Sequence, residues 1–154
     1  MTTLLDIVRS VDDPELPHVT IGDLGMVRSV AIDGRIARIR ITPTYTGCPA
    51  TEQIRADVEA AVTEAGYEPD VAFEMAPPWS TDDISPEGRA KLHAAGIAPA
   101  LPAGDGPVSL DLPVECPQCG SRRTRLTSAF GATACKALHR CDSCRQPFES
   151  FKAI

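Results

Sequence analysis

The stretch MVRSVAIDGRIARIRIT, residues 26–42, decides the fold of the first half of this chain. Apolar and polar residues alternate on both sides of Asp33-Gly34. An Asp-Gly pair between two alternating runs is typical of a tight β-hairpin. The sequence therefore predicts one strand over 26–32 and a second over 35–42.

Predicted helices and a further strand surround this hairpin. Leu4, Leu5 and Val8 recur at helical spacing before it. After it, Gly66 ends a helical pattern, as glycine commonly does at a helix C-terminus. The predicted elements, in chain order, are a helix over 2–10, strands over 26–32 and 35–42, a helix over 49–65, a strand over 71–75 and a helix over 86–95. This order predicts an α+β or α/β fold, a small mixed-sheet sandwich in which helices pack against the sheet.

The composition is that of a globular protein. Of the 154 residues, 43% are hydrophobic and 23% are charged, a balance that disfavours wholesale disorder. No apolar run approaches the roughly 18–20 residues that a membrane span requires. The first ten residues lack the basic start and the apolar segment of a secretory signal. We therefore expect a cytoplasmic protein whose six cysteines are thiols or metal ligands rather than a disulfide framework.

Charge divides the sequence into two unlike halves. Residues 1–113 hold 8 Lys and Arg against 18 Asp and Glu, a net charge of −10. Residues 114–154 hold 7 against 3, a net charge of +4. Proline and glycine are frequent between the halves, which is typical of a semi-stiff linker. We therefore expect a first domain over 1–96, a linker over 97–113 and a second domain over 114–154.

Four cysteines of the second half carry the strongest signal in the sequence. Cys116 and Cys119 form one C-x2-C pair, Cys141 and Cys144 form another, and 21 residues separate the pairs. Each pair can present two thiolates from one tight turn, and two such turns complete a tetrahedron around Zn²⁺. The spacing predicts a C-terminal zinc ribbon, in which a structural Zn²⁺ supplies folding free energy. Iron or an iron–sulfur cluster in the same four-sulfur site is the main alternative, and a disulfide framework is the weaker one.

Two further features of the ribbon segment have open interpretations. Cys135 is either a small buried hydrophobic residue or an extra, reactive thiol, which the neighbouring Lys136 would favour. Arg122, Arg123 and Arg125 form a basic cluster, but no aromatic residues are interleaved with them and the first half is acidic. We expect a solvated face or a docking face for an acidic protein, and no nucleic-acid binding.

The sixth cysteine lies alone in the acidic half. Cys48 falls between a predicted strand and a predicted helix, and Pro49 suits the first position of that helix. We therefore expect Cys48 to be the helix N-cap, where the helix dipole would lower the pKa of its thiol. An inert buried cysteine is the alternative. No histidine is spaced as in thiol hydrolases, so the pattern favours binding or transfer of a soft metal over hydrolysis.

Motifs along nearly the whole chain carry a family resemblance. They are Asp13-Pro-Glu-Leu-Pro17, Ile21-Gly-Asp-Leu-Gly-Met-Val27, Thr44-x-Thr-Gly-Cys-Pro49, Pro77-Pro-Trp-Ser-Thr-Asp-Asp-Ile-Ser-Pro86 and the cysteine-rich segment 116–148. The first three resemble the small domain of iron–sulfur assembly factors of the SufT type. The whole set resembles the PaaD family, accessory proteins of the bacterial phenylacetyl-CoA epoxidase.

This resemblance implies a cytoplasmic protein of phenylacetate breakdown that matures the iron centres of the epoxidase. Those centres are the di-iron site of the oxygenase and the [2Fe–2S] cluster of the reductase, and these two components are the implied partners. The resemblance also implies that a site for transient iron or an Fe–S cluster is lined by Asp13, Glu15, Thr44 and Cys48, with Cys48 as the reactive thiol. Tyr45 departs from the Thr-Thr of some relatives, which leaves the hydroxyl placement open.

Two other functions remain open at this point. One is a stable structural subunit of the epoxidase that transfers no metal. The other is a thiol-dependent acyl-CoA enzyme that uses Cys48, although no general base is evident. From the residues alone, Asp13 and Glu15 are equally well explained as solvent-exposed acids of a turn. The sequence specifies neither the oligomeric state nor a catalytic activity of the chain itself.

Overall fold

The computed structural model describes residues 1–99 and 113–152 of the chain. A short 3-10 turn covers Thr81–Asp83. The helices and strands, in chain order, are α1 (Leu4–Arg9), β1 (Val27–Asp33), β2 (Ile36–Ile41), α2 (Thr51–Glu64), β3 (Glu68–Phe73), α3 (Pro86–Ala94), β4 (Ile97–Ala98), β5 (Thr124–Ser128), β6 (Lys136–Cys141) and β7 (Pro147–Phe151). The predicted mixed architecture of helices and sheets is confirmed.

These elements form two compact units. The first unit contains Met1–Trp79 and Asp83–Gly88, and the second contains Ser80–Asp82 and the described part of Arg89–Ile154. None of the helices within 1–99 and 113–152 has the length and apolar character needed to cross a membrane.

The first unit is built on a three-stranded sheet in the order β1-β2-β3. β1 and β2 are antiparallel and form the predicted hairpin, but its two turn residues are Gly34 and Arg35, because Asp33 belongs to β1 and pairs with Ile36. Gly34 has a φ of 63°, a left-handed conformation that glycine adopts without strain. A helical crossover is the usual way to bring two strands into parallel pairing. α2 provides it here, because β3 pairs with β2 in parallel.

One face of this sheet forms the core of the first unit. Ala37, Ile39 and Ile41 alternate along β2 and are fully buried. α2 contacts both β3 and α1, and it presents a buried stripe at helical spacing that consists of Ile54, Val58 and Val62. Because the apolar positions follow a period of two in the strand and of about 3.6 in the helix, each element has one face to bury.

The other face of the same sheet carries paired charges. Arg38 lies 3.0 Å from Asp33 of β1 and 3.8 Å from Asp70 of β3. Arg40 lies 3.4 Å from Asp70 and 3.5 Å from Glu74. Opposite charges on neighbouring strands attract each other, so these pairs favour the observed register. They also leave the arginines of this face with nearby carboxylate partners.

β3 covers Glu68–Phe73, whereas the sequence predicts a strand over 71–75. Its first three residues are polar or proline, which hides the strand from a search for alternating apolar residues. Pro69 is tolerated because β3 lies at the edge of the sheet, where a missing N–H breaks no ladder on the open side.

The segment that follows β3 returns to the first unit. Trp79 is 3% exposed, and its indole N–H donates to the Leu24 carbonyl at 2.7 Å. Gly25 has a φ of 67°, and a Cβ on it would lie only 2.1 Å from the Asp83 carbonyl oxygen. Trp79 therefore belongs to the packed interior of this unit, and the backbone of Asp83 packs against Gly25, although both residues lie outside the sheet.

The second unit contains a four-stranded sheet in the order β4-β7-β6-β5. β5, β6 and β7 are antiparallel neighbours, whereas β4 pairs with β7 in parallel. β4 consists of Ile97 and Ala98, which fall at the start of the expected linker. Their partners, Glu149 and Ser150, lie some fifty residues away, so local sequence carries no sign of this pairing. Residues 100–112 of the expected linker lie outside the described residues.

Candidate metal centre and thiol site

The four predicted metal ligands converge at one end of the ribbon. The Sγ atoms of Cys116, Cys119, Cys141 and Cys144 all lie within 4.8 Å of one another. Cys116 Sγ is 3.8 Å from Cys144 Sγ, and Cys119 Sγ is 3.6 Å from Cys141 Sγ. A tetrahedron with Zn–S bonds of about 2.3 Å has S···S edges of about 3.8 Å. The observed spacing therefore fits a four-coordinate Zn²⁺ and is too long for disulfides, and all four cysteines are free thiols.

Two tight turns, called knuckles here, present these sulfur atoms. In the first knuckle the Gly120 N–H donates to the Cys116 carbonyl at 2.8 Å, and in the second the Cys141 N–H donates to the Gln146 carbonyl at 3.0 Å. The residue after each C-x2-C pair has a positive φ, 70° at Gly120 and 64° at Arg145. Both knuckles therefore turn back sharply behind their second cysteine, which lets paired thiols face one point.

The four thiols differ in acidity because their surroundings differ. Backbone N–H groups of Cys144 and Ser143 outweigh burial and lower the pKa of the Cys141 thiol to about 6. At Cys119 the Ser121 N–H also lowers the pKa of the thiol, but burial and the three neighbouring thiols outweigh it and raise the pKa to about 11. Four thiols at these distances cannot all be thiolates without a counter-charge. When bound, Zn²⁺ would supply that charge and hold all four deprotonated.

Cys135 lies outside this sulfur cluster. It is 4% exposed, and its Sγ lies 3.0 Å from the Thr133 hydroxyl. The described structure therefore places Cys135 in a buried, hydrogen-bonded position, and its role as an extra thiol stays a prediction.

Cys48 lies on the loop between β2 and α2 and is 8% exposed. Its carbonyl accepts hydrogen bonds from the N–H and the hydroxyl of Thr51, at 3.2 and 2.9 Å. The N-cap of α2 is Ala50, so the prediction that Cys48 caps this helix is wrong. Pro49 takes the second position of a turn from Cys48 to Thr51, a favoured place for proline, instead of the first helical position. Cys48 therefore does not occupy the capping position at which the helix dipole acts on a side chain.

Arg28 anchors the start of the Cys48 loop. The register of β1 against β2 shifts between Val27 and Ser29, which makes Arg28 the extra residue of a β-bulge. Bulges often redirect a side chain near a functional site. Here the Arg28 Nε donates to the hydroxyl of Thr42 at 2.9 Å, and Thr42 is 1% exposed. Thr44, two residues further along, is also buried.

The turn that contains Asp13 and Glu15 is shaped by its own carboxylate. Asp13 Oδ1 accepts the N–H groups of Glu15 and Leu16 at 2.8 and 3.1 Å. The Asp13 N–H donates to the Val19 carbonyl at 2.8 Å, which closes the turn. A structural role for Asp13 is therefore visible, as expected for Asx turns. These turn contacts do not test the predicted role of Asp13 as a metal ligand.

The structure does not gather the predicted thiol-site residues into a closed metal site. Over residues 1–99 and 113–152, the four ribbon cysteines are the only set of three or more Cys, His, Asp or Glu side chains with ligand atoms within 4.8 Å of one another. Cys48, Asp13 and Glu15 do not form such a set in this conformation. Their joint action with Thr44 stays a prediction.

Known proteins resemble both parts of the chain. Residues 102–152 match the PaaD zinc beta ribbon domain, and residues 2–76 match the family described as iron-sulfur cluster assembly protein. Over 150 residues the chain is 47% identical to an Escherichia coli (strain K12) protein named as a putative subunit of 1,2-phenylacetyl-CoA epoxidase, and the match covers 96% of this chain and 90% of that protein. The chain belongs to the PaaD family.

Membership of the PaaD family agrees with the fold and with the sulfur cluster. The chain is similar to a crystal structure of the domain of unknown function DUF59 from Bacillus anthracis, with a TM-score of 0.54 and 34% sequence identity. The match covers 58% of this chain and 87% of the DUF59 chain. The expected pairing of an assembly-type α+β domain with a zinc ribbon is confirmed. The four clustered cysteines lie in the segment that matches the zinc ribbon and could hold a metal ion together.

Sequence reasoning missed the link between Arg28 and Thr42. The two residues are fourteen positions apart, and only the hairpin register with its bulge brings them together. The polar spacing around the Asp-Gly turn predicts the hairpin but not the bulge. A buried threonine at the end of a strand, opposite an arginine, is the signal that points to the contact once the register is known.

Proposed function

We propose that this chain assembles the iron centres of a 1,2-phenylacetyl-CoA epoxidase, and that Cys48 holds iron or an Fe–S cluster in transit. The observation that supports this most is the place of Cys48, a thiol with 8% exposure on the β2–α2 loop. That loop lies inside the segment that matches iron–sulfur cluster assembly proteins. The relative named as part of an epoxidase supplies the recipient, and the cytoplasm is the proposed place of action.

The ligand chemistry around Cys48 supports brief rather than permanent binding. A thiolate is a soft ligand, whereas the carboxylates of Asp13 and Glu15 and the hydroxyl of Thr44 are hard oxygen ligands. A mixed set of this kind binds iron less tightly than a cage of four thiolates. Since Cys48, Asp13 and Glu15 do not all have ligand atoms within 4.8 Å of one another, the cargo would draw them together or would take further ligands from the recipient.

The ribbon and the Cys48 loop have separate proposed tasks. A closed site of four thiolates leaves no open position on the metal, which is typical of structural zinc. We assign the zinc to the stability of the ribbon and the cargo to Cys48. The proposed recipients are the oxygenase, with its di-iron site, and the reductase, with its [2Fe–2S] cluster.

A stable structural subunit is the second candidate function. The name of the 47% identical relative favours it, because that protein is called a subunit. The two candidates differ in what a thiol substitution does: a structural subunit needs the fold, whereas an assembly factor needs the sulfur atom of Cys48.

Co-expression with the epoxidase tests the proposal. The oxygenase and reductase are purified after co-expression with wild type, with Cys48→Ala, or with Cys135→Ala as the matched control at a second buried cysteine. We expect Cys48→Ala to lower the iron content and activity of the epoxidase several-fold, while Cys135→Ala leaves both unchanged. Zinc analysis of each variant should give one equivalent, which shows that the ribbon is intact.

Normal iron in the epoxidase made with Cys48→Ala would contradict the assembly role. If the chain then co-purifies at fixed stoichiometry, the structural subunit is the better explanation. Turnover of phenylacetyl-CoA by the isolated chain, blocked by a thiol reagent in wild type and absent from Cys48→Ala, would instead identify a thiol-dependent acyl-CoA enzyme.

A further inference from the structure

Two arginines face each other directly across the ribbon. Arg125 of β5 is in register with Arg140 of β6, and both side chains are exposed. Residues directly opposite on antiparallel strands have Cβ atoms about 4.5–5.5 Å apart, and like charges at such positions destabilise the pair. The ribbon would be more stable with an acid at either position. This arrangement therefore has a cost that the fold itself does not explain.

The surrounding charges offset only part of this repulsion. Arg125 lies 3.5 Å from Asp142, with both side chains largely exposed. Within residues 1–99 and 113–152, the side chain of Arg140 has no carboxylate within 4.0 Å, and neither has that of Arg123. On the sheet of the first unit, by contrast, Arg38 and Arg40 each contact two carboxylates. The same chain gives each of these two arginines two carboxylates in one sheet, whereas in the other Arg125 has one carboxylate and Arg140 has none within 4.0 Å among the described residues.

The metal site does not account for these charges. Cys141 is fully buried, whereas Arg140, the residue before it, is exposed. Successive side chains of a strand point to opposite faces of the sheet, so Arg140 points away from the four sulfur atoms. Its guanidinium therefore does not neutralise the thiolates around the metal.

We propose that Arg125 and Arg140, flanked by Arg123, form a docking surface for an acidic protein. This surface is called the arginine face below. Guanidinium groups bind carboxylates through two parallel hydrogen bonds, and arginine is enriched where protein interfaces concentrate their binding energy. Partner carboxylates would supply the counter-charges that the ribbon lacks and remove the repulsion between the pair. If the proposed function holds, the acidic surface belongs to the epoxidase component that receives the iron.

A nucleic acid is a poorer occupant of the arginine face. Single strands are held by aromatic residues interleaved with basic ones, and the strand positions beside Arg125 and Arg140 are Thr127, Leu138 and Pro147. The chain as a whole has a net charge of −6, which opposes binding along an extended polyphosphate more strongly than contact with a local patch of carboxylates that meets the arginine face alone.

A single charge reversal tests the arginine face without endangering the fold. Arg140→Glu places an acid opposite Arg125, so it should preserve or raise the thermal stability of the zinc-loaded ribbon. Arg35→Glu, at an exposed arginine of the first unit, makes the same change in net charge and serves as the control. Binding of each variant to the purified oxygenase and to the purified reductase is measured at low and at high salt.

For wild type we expect binding to one component that weakens as salt increases. Arg140→Glu should weaken it on the order of tenfold or more, mainly by slowing association, while Arg35→Glu binds within about twofold of wild type. Equal binding by wild type and Arg140→Glu would overturn the proposal. Tighter binding of wild type to duplex DNA than to either component, lost in Arg140→Glu, would overturn it in favour of nucleic acid.

The outcome can be separated from that of the proposed function. Cys48→Ala leaves the arginine face intact and should bind the same component as wild type. If Arg140→Glu loses binding while Cys48→Ala still yields iron-loaded epoxidase, the docking surface stands and the assembly role falls. If Arg140→Glu binds normally while Cys48→Ala yields iron-poor epoxidase, the assembly role stands and the docking surface falls.

Discussion

All but Leu92 of the largest fully buried side chains among the described residues lie in the first unit, whereas one buried cluster of the ribbon consists of Ala98, Cys116, Cys141 and Phe148. Two of those four residues, Cys116 and Cys141, belong to the set of cysteines that could hold a metal ion. The first unit therefore has an aliphatic core that excludes water by itself, whereas a metal held by the cysteines would complete the core of the ribbon. Segments of about forty residues rarely bury enough apolar surface to fold alone.

This difference separates two ways in which one sequence can specify structure. In the first unit the information is distributed over many apolar positions with strand or helix periodicity, and no single residue decides the fold. In the ribbon it is concentrated in four cysteines and the two knuckles that present them. The loss of stability caused by a substitution should therefore be graded in the first unit and close to all-or-none in the ribbon.

Removal of the metal should have the largest effect and should be confined to the ribbon. Structural Zn²⁺ binding contributes about 10–16 kcal/mol in small zinc domains, which exceeds the total stability of most domains. We expect a strong chelator, or Cys116→Ser, to abolish hydrogen-exchange protection over 113–152 and to leave that of β1, β2 and α2 unchanged. Zinc analysis with exchange measured by mass spectrometry checks this.

Cys135→Ser is the matched control, since Cys135 is a buried cysteine of the same unit that lies outside the set of four clustered cysteines. It should keep one equivalent of zinc and full protection. Protection of β5–β7 that survives complete metal removal would mean that the ribbon has a sufficient core of its own, and the comparison would fail.

A core truncation in the first unit should show the opposite behaviour. Ile39 is fully buried at the centre of β2, whereas Ile36 on the same strand is 39% exposed. We expect Ile39→Ala to lower the free energy of unfolding of the first unit by about 2–5 kcal/mol because it leaves a cavity. Ile36→Ala should cost much less. Denaturant unfolding gives both values, and zinc content should be unchanged in each variant.

The same contrast explains which features could be predicted from the sequence. The hairpin follows from alternation around Asp33-Gly34, which is a local signal. The cluster of four sulfur atoms follows from the spacing of two C-x2-C pairs. β4 escapes prediction because Ile97 pairs with a strand some fifty residues away. The local structure at Cys48 could not be predicted because Pro49 suits both a first helical position and a turn. Only the backbone of Ala50, the N-cap of α2, decides between them.

The thiol site is the least predictable part for a related reason. The bulge at Arg28, the hydrogen bond to Thr42 and the turn around Asp13 each depend on the assembled fold. A list of ligand-type residues in the sequence does not say whether a fold brings them together. The ribbon cysteines meet in the structure, whereas the side chains of Cys48, Asp13 and Glu15 do not form a compact set.

An ion pair of the ribbon and one of the first unit differ in burial, and they should therefore differ in their contribution to stability. Lys136 is 5% exposed, and Glu149 accepts hydrogen bonds from its ammonium at 2.8 Å and from the Ala132 N–H at 2.7 Å. Although partial burial opposes it, these bonds hold the pKa of Glu149 below its usual range. We expect Glu149→Gln to cost about 1–3 kcal/mol, because a buried ammonium loses its charged partner.

The control for this pair lies in the first unit, where Glu68 is 64% exposed and 3.7 Å from Arg35. Exposed pairs contribute about 0–1 kcal/mol, so Glu68→Gln should be nearly neutral. Thermal unfolding of the zinc-loaded protein compares the two. A cost for Glu68→Gln as large as that for Glu149→Gln would show that burial is not what distinguishes the pairs.

The two knuckles provide the smallest and most local test. Gly120 and Arg145 occupy equivalent positions with φ of 70° and 64°, and a left-handed conformation costs a residue with a Cβ about 1–2 kcal/mol. Arg145→Gly removes that strain but adds about 0.4–1 kcal/mol of unfolded-state entropy, so we expect a net gain of about 0.5–1 kcal/mol. Gly120→Ala should destabilise by a similar or larger amount. Because both knuckles serve one metal, the changes should appear together in the zinc affinity measured by competition with a chelator, and not in the unfolding of the first unit. If the two substitutions change the zinc affinity in opposite directions, the backbone conformation of the knuckles controls metal binding. If they change it in the same direction, Arg145 is held by contacts of its side chain instead.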